Sequence, residues 1–153
     1  MRFLGTVDAK TDSKGRAFLP SVFRKVLQSS GEERLVLRRD VFQPCLTLYP
    51  ESVWNGQVDN LTRRLNRWSA ADRQLLRQFV SDVEVIQLDG NGRFLIPKRY
   101  QRLAGIVQDV KFIGVDDTIE IWAAEKMEES LLSAEEFASR MEEKLGDGLF
   151  GVM

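Results

Sequence analysis

Two short stretches of the chain alternate between apolar and polar residues, and each runs into a turn that contains glycine. Residues 3–7 and 83–88 are rich in β-branched side chains and partly alternate, which is typical of half-buried strands. Glycine permits the positive φ that a tight turn requires. Each turn leads into a short return strand, which ends at Pro20 in the first stretch and at Pro97 in the second. The pattern therefore predicts two strand–turn–strand units.

A helical periodicity separates the two units. Five apolar residues, spaced four, three, four and three apart, lie on one face of a helix predicted over residues 51–67. They are Trp54, Val58, Leu61, Leu65 and Trp68. Ser69 is a suitable N-cap for a second helix, whose apolar stripe consists of Leu75, Leu76, Phe79 and Val80. Stripes of this kind indicate helix faces that pack into a core.

The rest of the pattern completes each unit with a short helix and a pair of strands. Proline suits the first turn of a helix, so helices are predicted at 21–28 and 98–104. Strand pairs are predicted at 35–38 with 46–49 and at 110–115 with 118–122, and Asp116 and Asp117 make the second pair a tight hairpin. Ser133 and Glu136 form a capping-box pattern that opens a last helix. We expect residues 146–153 to be frayed.

These two units are copies of one another. The segment from Asp12 to Pro20 matches the segment from Asp89 to Pro97, with aspartate, glycine, arginine and proline in the same relative places at an offset of 77 residues. Phe23 corresponds to Tyr100 at that offset, and residues 46–49 resemble residues 119–122 at an offset of 73. Internal duplication predicts a first repeat at 1–50, linking helices at 51–81, a second repeat at 82–124, and C-terminal helices with a tail at 125–153.

The composition offers few groups for catalysis. The chain has 153 residues, of which 43% are hydrophobic and 29% charged, and it contains no histidine. It therefore lacks the commonest general base and metal ligand near neutral pH. Cys45 is the single cysteine, which excludes an intrachain disulfide and a thiolate metal cluster, and we interpret it as a small buried hydrophobe. We expect no enzymatic activity, no cofactor and no metal.

The amino terminus does not have the pattern of a signal peptide, because charged residues at Asp8, Lys10 and Asp12 interrupt any apolar core. No apolar run approaches the roughly 20 residues that a membrane-spanning helix requires. We expect a cytoplasmic protein without a membrane partner.

The net charge of −1 hides an uneven distribution. Residues 1–40 contain nine basic and five acidic side chains, and residues 61–110 again contain nine and five, so each segment is +4. Residues 116–153 contain three basic and eleven acidic side chains and are −8. Two basic segments and an acidic tail are compatible with nucleic-acid binding, although solvated surface charges would give the same totals.

The duplicated turn, with the pattern Asp-x-x-Gly-Arg, can present a guanidinium rigidly. Asp12 can accept hydrogen bonds from backbone amides of the turn and can pair with Arg16 four residues later. A fixed guanidinium offers five donors in a planar fork that suits phosphate or the O6/N7 edge of guanine. Asp89 and Arg93 repeat the pair. The alternative is that both pairs are structural ion pairs.

Basic residues gather around both turns. In sequence, Lys10, Lys14, Arg24 and Lys25 surround the first turn, and Lys98, Arg99 and Arg102 surround the second. Local clustering of this kind is favoured by counterion release from a nucleic-acid backbone, whatever the net charge.

The paired motifs resemble the two Asp-x-x-x-Arg signatures of the MraZ family, which comprises bacterial transcriptional regulators of the division and cell-wall gene cluster. The resemblance extends to residues 44–50 and 119–122 and covers nearly the whole chain. It implies an α+β fold in which tandem AbrB-like swapped-hairpin repeats intertwine into one β-barrel-like domain. It also implies a ring-forming homo-oligomer, associated with the nucleoid, that binds double-stranded DNA at short direct repeats in its own promoter.

The expected DNA-binding residues are those that match the two motifs and their basic neighbours: Lys14, Arg16, Arg24, Lys25, Arg93, Lys98 and Arg99. The expected turn-orienting residues are Asp12, Gly15, Asp89 and Gly92. A protein-binding module of the antitoxin type remains an alternative, because the acidic stretch from Asp116 to Asp147 could wrap a partner. An enzyme ranks third, since no nucleophile–base constellation is present in the sequence.

Overall fold

A computed structural model describes residues 1–146 of the chain. The strands are β1 (Thr6–Lys10), β2 (Arg16–Phe18), β3 (Leu35–Arg39), β4 (Leu46–Pro50), β5 (Glu84–Ile86), β6 (Arg93–Leu95), β7 (Asp109–Val115) and β8 (Thr118–Ala123). The helices are α1 (Ser21–Ser29), α2 (Glu51–Arg64), α3 (Ala70–Ser81), α4 (Lys98–Ala104), α5 (Ala124–Ser130) and α6 (Ala134–Leu145). The predicted α+β class is confirmed.

The two repeats exchange strands. The main sheet is antiparallel and has the order β1-β7-β8-β4-β3-β5. Each repeat therefore adds its first strand to the hairpin of the other repeat, because β1 pairs with β7 and β5 pairs with β3. The return strands β2 and β6 pair with each other in a separate two-stranded ribbon.

The sheet is open, so the prediction of a β-barrel-like domain is wrong. Within residues 1–146, β1 and β5 are the two edges of the main sheet and no pairing joins them. The strands that could have bridged the edges, β2 and β6, are three residues long, and Pro20 and Pro97 follow them closely. They are too short to do more than pair with each other.

A pseudo-twofold relation connects the two halves. In the ribbon, Ala17 lies opposite Phe94 at the centre, and equivalent residues lie at equal distances on either side. In the main sheet, Thr47 of β4 lies opposite Glu120 of β8 in the same way. The offsets of 77 and 73 residues in the sequence are those that place equivalent residues symmetrically about these two centres.

The principal core lies between the sheet, the ribbon and the two short helices. Phe23 of α1 and Tyr100 of α4, which are equivalent in the duplication, are both fully buried. Phe3 packs edge-on against Phe23 with ring centroids 5.8 Å apart, and Phe94 of the ribbon packs edge-on against Phe112 of β7. Both repeats therefore contribute to one apolar core.

A second, smaller core holds α2 and α3 against β3 and β4. Trp54 of α2 stacks on Phe79 of α3 with centroids 5.0 Å apart and meets Tyr49 of β4 edge-on. Arg38 of β3 is only 6% exposed. Its guanidinium donates to the carbonyl oxygens of Phe79, at 2.9 Å, and Gln78, and so satisfies the last turn of α3.

The first strand begins later than predicted. Strand β1 starts at Thr6 because Gly5 has a φ of +91°, which breaks the extended backbone after Leu4. Phe3 makes an isolated antiparallel bridge to Asp116 and is fully buried. The predicted Asp116–Asp117 hairpin is confirmed, since Val115 pairs with Thr118, and Asp116 adopts a φ of +62°.

The linking helix ends earlier than predicted. Helix α2 stops at Arg64, and Leu65 is extended. Side chains compete with the helix here: Asn66 accepts a hydrogen bond from the Trp68 amide, and Asp72 accepts one from the Asn66 amide. Trp68 is consequently 97% exposed instead of completing the apolar stripe of α2.

The predicted N-cap of α3 is confirmed, because the Ser69 hydroxyl accepts a hydrogen bond from the Asp72 amide. Leu75 fits the apolar stripe that the sequence predicts for α3, but it is 62% exposed in the structure.

The last helix is capped but lies on the surface. The Ser133 hydroxyl accepts a hydrogen bond from the Glu136 amide, as the capping pattern predicts. The Glu136 carboxylate pairs with Arg140 one turn later. None of the residues of α6 is buried. The predicted frayed tail lies outside the described residues beyond Gly146. Within the described part of the chain, no helix is long and apolar enough to cross a membrane.

Two glycine substitutions should change stability in opposite directions. A Cβ at Gly114 of β7 would collide with the backbone of Phe3 and Leu4, so Gly114→Ala should lower the free energy of unfolding by about 1–3 kcal/mol. A Cβ at Gly56, inside α2, meets nothing within 4 Å, so Gly56→Ala should raise it by about 1 kcal/mol. Urea unfolding at fixed protein concentration measures both. Equal effects of the two changes would contradict the packing of Phe3 on β7.

Candidate nucleic-acid interface

The first turn is held by one carboxylate. Oδ1 of Asp12 accepts hydrogen bonds from the backbone amides of Lys14 and Arg16, both at 2.9 Å. Oδ2 of Asp12 accepts a hydrogen bond from Nε of Arg16 at 2.7 Å. Gly15 has a φ of +86°, which a side chain would strain. The aspartate therefore shapes the turn with one oxygen and aims the guanidinium with the other.

The second turn repeats this geometry. Oδ1 of Asp89 accepts from the amides of Asn91 and Arg93 at 2.9 Å, and Oδ2 accepts from Nε of Arg93 at 3.0 Å. Gly92 has a φ of +82°. The Arg16 and Arg93 side chains are 38% and 28% exposed, so neither guanidinium is buried in the fold.

Hydrogen bonding keeps both carboxylates ionised. The hydrogen bond from the Arg16 amide is the largest influence on the pKa of Asp12 and lowers it, and the Arg16 side chain and the Lys14 amide lower it further, so that together they outweigh the opposing effect of desolvation. The amide of Arg93 likewise lowers the pKa of Asp89. Each ion pair is therefore formed throughout the neutral range.

The two turns are locked together across the repeats. The Leu19 amide donates to the Gly92 carbonyl and the Ile96 amide donates to the Gly15 carbonyl, both at 2.9 Å. Gln101 of α4 lies directly on Gly15, and its amide group donates to the Ile96 carbonyl at 2.7 Å. A side chain at Gly15 would collide with Gln101. Each turn is thus fixed by residues of the other repeat as well as by its own aspartate.

Arg24 lies against the second turn, whereas its position in the sequence predicts that it lies beside the first. Its guanidinium lies directly on Gly92, as Gln101 lies on Gly15. Its Nε is buried and has no hydrogen-bond partner among residues 1–146. The first turn carries Lys14 where the second carries Asn91, so Arg24 restores a cation to the turn that lacks the lysine.

The remaining predicted basic residues are placed unequally. Lys25 on α1 and Lys98 at the start of α4 are exposed. Arg99 pairs with the carboxylates of Asp82, at 3.3 Å, and Glu84, at 3.0 Å. Its guanidinium carbon also lies 4.4 Å from the centroid of the Tyr100 ring. Arg99 was predicted to bind DNA, but two carboxylates already balance its charge in the folded protein.

The ribbon has an outward face that the sequence analysis did not assign to the site. Ala17 and Phe94 point into the core, so their neighbours Arg16, Phe18, Arg93 and Leu95 point outward together. Phe18 is 56% exposed and Leu95 is 52% exposed. The sequence pattern could have predicted this face, because in each repeat an arginine and an apolar residue stand on either side of a core residue, which is Ala17 in the first repeat and Phe94 in the second.

Cys45 has the environment predicted for it. It is 2% exposed, and burial is the largest influence that raises the pKa of its thiol, which keeps the thiol protonated. Asp40 and Glu120 lie near it, with all three potential ligand atoms within 4.8 Å of one another. A protonated thiol in this position is a small core residue and adds no function to the turns.

Interleaved repeats, each with an aspartate-held arginine turn, define a tandem swapped-hairpin protein. The family model of the MraZ protein matches the chain twice, over residues 2–78 and 79–146. The chain therefore belongs to the MraZ family, which is a family of transcriptional regulators and not of enzymes.

Relatives named transcriptional regulator MraZ match along almost the whole chain. One from Phocaeicola vulgatus is 60% identical over 95% of this chain and 95% of its own length. One from Bacteroides thetaiotaomicron is 54% identical over 96% of this chain and 94% of its own length. A more divergent one from Christiangramia forsetii is 35% identical over 98% and 97%, respectively.

The hold of Asp12 on its turn can be tested through pH. For Asp12→Asn we expect reduced stability at neutral pH, because the new amide would place an N–H donor against Nε of Arg16. Because the pKa of Asp12 is lowered in the folded protein, its contribution is complete above the ordinary value of 3.8 and is lost as pH falls below that value through the folded-state pKa. The difference in urea midpoint between wild type and variant should therefore be constant from neutral pH down to this value and then shrink.

Asp59→Asn, at an exposed aspartate on α2, is the matched control and should leave the urea midpoint at neutral pH unchanged. A difference between wild type and Asp12→Asn that titrated near neutral pH would contradict this account of the turn.

Proposed function

We propose that the protein is a sequence-specific DNA-binding regulator of transcription that uses the β2–β6 ribbon and its two turns as the contact surface. The observation that carries this proposal is the aspartate-held geometry of Arg16 and Arg93, whose side chains leave the same face of the ribbon. Nε of each arginine is taken by its aspartate, and its two Nη groups make no hydrogen bond within residues 1–146. Those groups form the end of the fork that matches O6 and N7 of guanine.

The basic neighbours supply charge for the phosphate backbone. Lys14 serves the first turn and Arg24 the second, while Lys25 and Lys98 lie on the helices that follow the ribbon. Phosphate contacts fix the register of a protein on the duplex without reading its sequence. We assign Arg99 a smaller share, because contact with DNA would compete with its carboxylate partners.

The target and the assembly that we propose are those that the resemblance to the family implies. We assign the protein to regulation of the division and cell-wall gene cluster in the cytoplasm, at the nucleoid, through short direct repeats in its own promoter. A ring of copies would place one ribbon on each repeat and gain affinity through multivalency. We also retain 1–50 and 82–124 as the two AbrB-like repeats, with linking helices at 51–81 and C-terminal helices and tail at 125–153.

Exposed apolar side chains support contact between copies. Leu131 and Phe137, on either side of the start of α6, are 63% and 56% exposed. The exposed Trp68 lines a surface pocket together with Arg67 and with Arg73 and Arg77 of α3. The glutamates of α5 and α6 are opposite in charge to such an arginine-rich surface, and burial of the exposed apolar side chains in a neighbouring copy would stabilise an oligomer.

The double variant Arg16→Ala, Arg93→Ala, which lacks both turn arginines, should lose specific binding to DNA. We expect Arg16→Ala and Arg93→Ala each to weaken binding to DNA from immediately upstream of the protein's own gene by about ten-fold to a hundred-fold. Fluorescence anisotropy over a range of salt concentrations measures this loss. Affinity of the wild type should fall steeply as salt rises.

Arg63→Ala combined with Arg64→Ala removes the same charge from the exposed end of α2 and is the matched control for the Arg16→Ala, Arg93→Ala double variant. Binding that survived loss of Arg16 and Arg93, or that ignored salt, would overturn the proposal. Stoichiometric capture of one protein without any affinity for the upstream DNA would favour the partner-binding alternative.

Assembly can be tested separately from DNA binding. We expect wild type to be oligomeric by multi-angle light scattering, and Phe137→Ser to shift it toward smaller species, because a polar side chain would replace an apolar contact. Val107→Ser, at a loop residue that is 90% exposed, is the matched control and should leave the mass unchanged. A wild-type monomer at micromolar concentration would contradict the ring.

A further inference from the structure

The outward face of the ribbon combines two guanidinium groups with two apolar side chains. Arg16 lies directly opposite Leu95, and Phe18 lies directly opposite Arg93. The guanidinium carbon of Arg93 lies 5.8 Å from the centroid of the Phe18 ring. Each arginine therefore has an apolar side chain beside it on the neighbouring strand, and the two pairs are related by the pseudo-twofold axis.

The dimensions of this face suit a DNA groove. Residues two apart on a strand are about 7 Å apart, and neighbouring strands are about 5 Å apart. The major groove of B-DNA is about 12 Å wide and admits a two-stranded ribbon. The end of each guanidinium fork points away from its aspartate, so a ribbon seated in the groove brings Phe18 and Leu95 to the base edges together with the arginines.

The chemistry of the base edges explains why apolar residues belong here. In the major groove guanine offers two acceptors, and thymine alone among the DNA bases offers an apolar group, its C5-methyl. Contact with water or phosphate does not stabilise an outward apolar side chain, whereas covering a methyl group removes apolar surface from water and is therefore favourable.

We propose that Phe18 and Leu95 are specificity-determining residues, an inference that rests on the proposed function. Phe18 contacts the methyl group of a thymine next to the guanine bound by Arg93, and Leu95 contacts that of a thymine next to the guanine bound by Arg16. The pseudo-twofold axis directs the two contacts to opposite strands of the duplex. Phenylalanine reaches farther than leucine, so the half of the target under Phe18 differs in its contacts from the half under Leu95.

Replacement of thymine by deoxyuridine tests this inference, because it removes the methyl group and keeps base pairing and charge. In the upstream DNA fragment, single replacements at the critical thymines should weaken wild-type binding by about four-fold each. Phe18→Ala should weaken binding to natural DNA by a similar factor and should be indifferent to replacement at the thymine that Phe18 covers. Leu95→Ala should show the same pattern at a thymine on the other strand.

Leu103→Ala removes a comparably exposed leucine from α4 and should keep the full response to deoxyuridine. Wild-type binding that depends on Arg16 and Arg93 but ignores every replacement would overturn this inference and leave the proposed function standing. No binding to the fragment at all would overturn both. Phe18→Ala could instead change the mass measured by light scattering and lower the affinity equally for natural and for deoxyuridine-containing DNA. That result would show that Phe18 contacts another copy, and it would also overturn this inference.

Discussion

The pairing of β2 with β6 is the constraint on which the two turns depend. Each return strand has three residues, and an isolated ribbon of this size has little stability of its own. It persists because Ala17 and Phe94 are buried beneath it, and because each turn accepts a hydrogen bond from the strand that leads out of the other turn. A single repeat would leave the Leu19 or Ile96 amide without its partner. Duplication therefore creates the rigid platform and also doubles the number of arginines.

Divergence between the repeats has kept the shape of the turns and redistributed their charge. The equivalents of Lys14 and Arg24 are Asn91 and Gln101, so the first repeat carries both of these cations and the second repeat carries neither. Because α1 and α4 reach across the pseudo-twofold axis, the Arg24 guanidinium lies on the second turn and the neutral Gln101 on the first. Each turn thus has an arginine held by aspartate and one further cation, although the second cation projects from the loop in one case and from a helix in the other.

The sequence was sufficient for local structure and for the duplication, and insufficient for contacts between distant segments. The turns, the short helices and the caps at Ser69 and Ser133 depend on residues within a few positions of each other, and they formed as predicted. The pairing of β2 with β6, the place of Arg24 and the open sheet depend on how two repeats approach each other, which periodicity does not encode. Trp68 fits the stripe of α2 by spacing alone, but the hydrogen bonds of Asn66 end the helix first.

The nearly neutral net charge places a requirement on how such a protein could bind DNA. A chain with a net charge of −1 and an acidic C-terminal helix is not drawn to a polyanion by its overall field. Its affinity must come from short-range contacts, and these reward side chains whose direction is already fixed, since little conformational entropy is then lost on binding. The aspartate that accepts from Nε fixes the arginine at the expense of one donor out of five. One ribbon would still bind weakly, and repetition of the ribbon in the proposed assembly would compensate for the charge that the chain as a whole lacks.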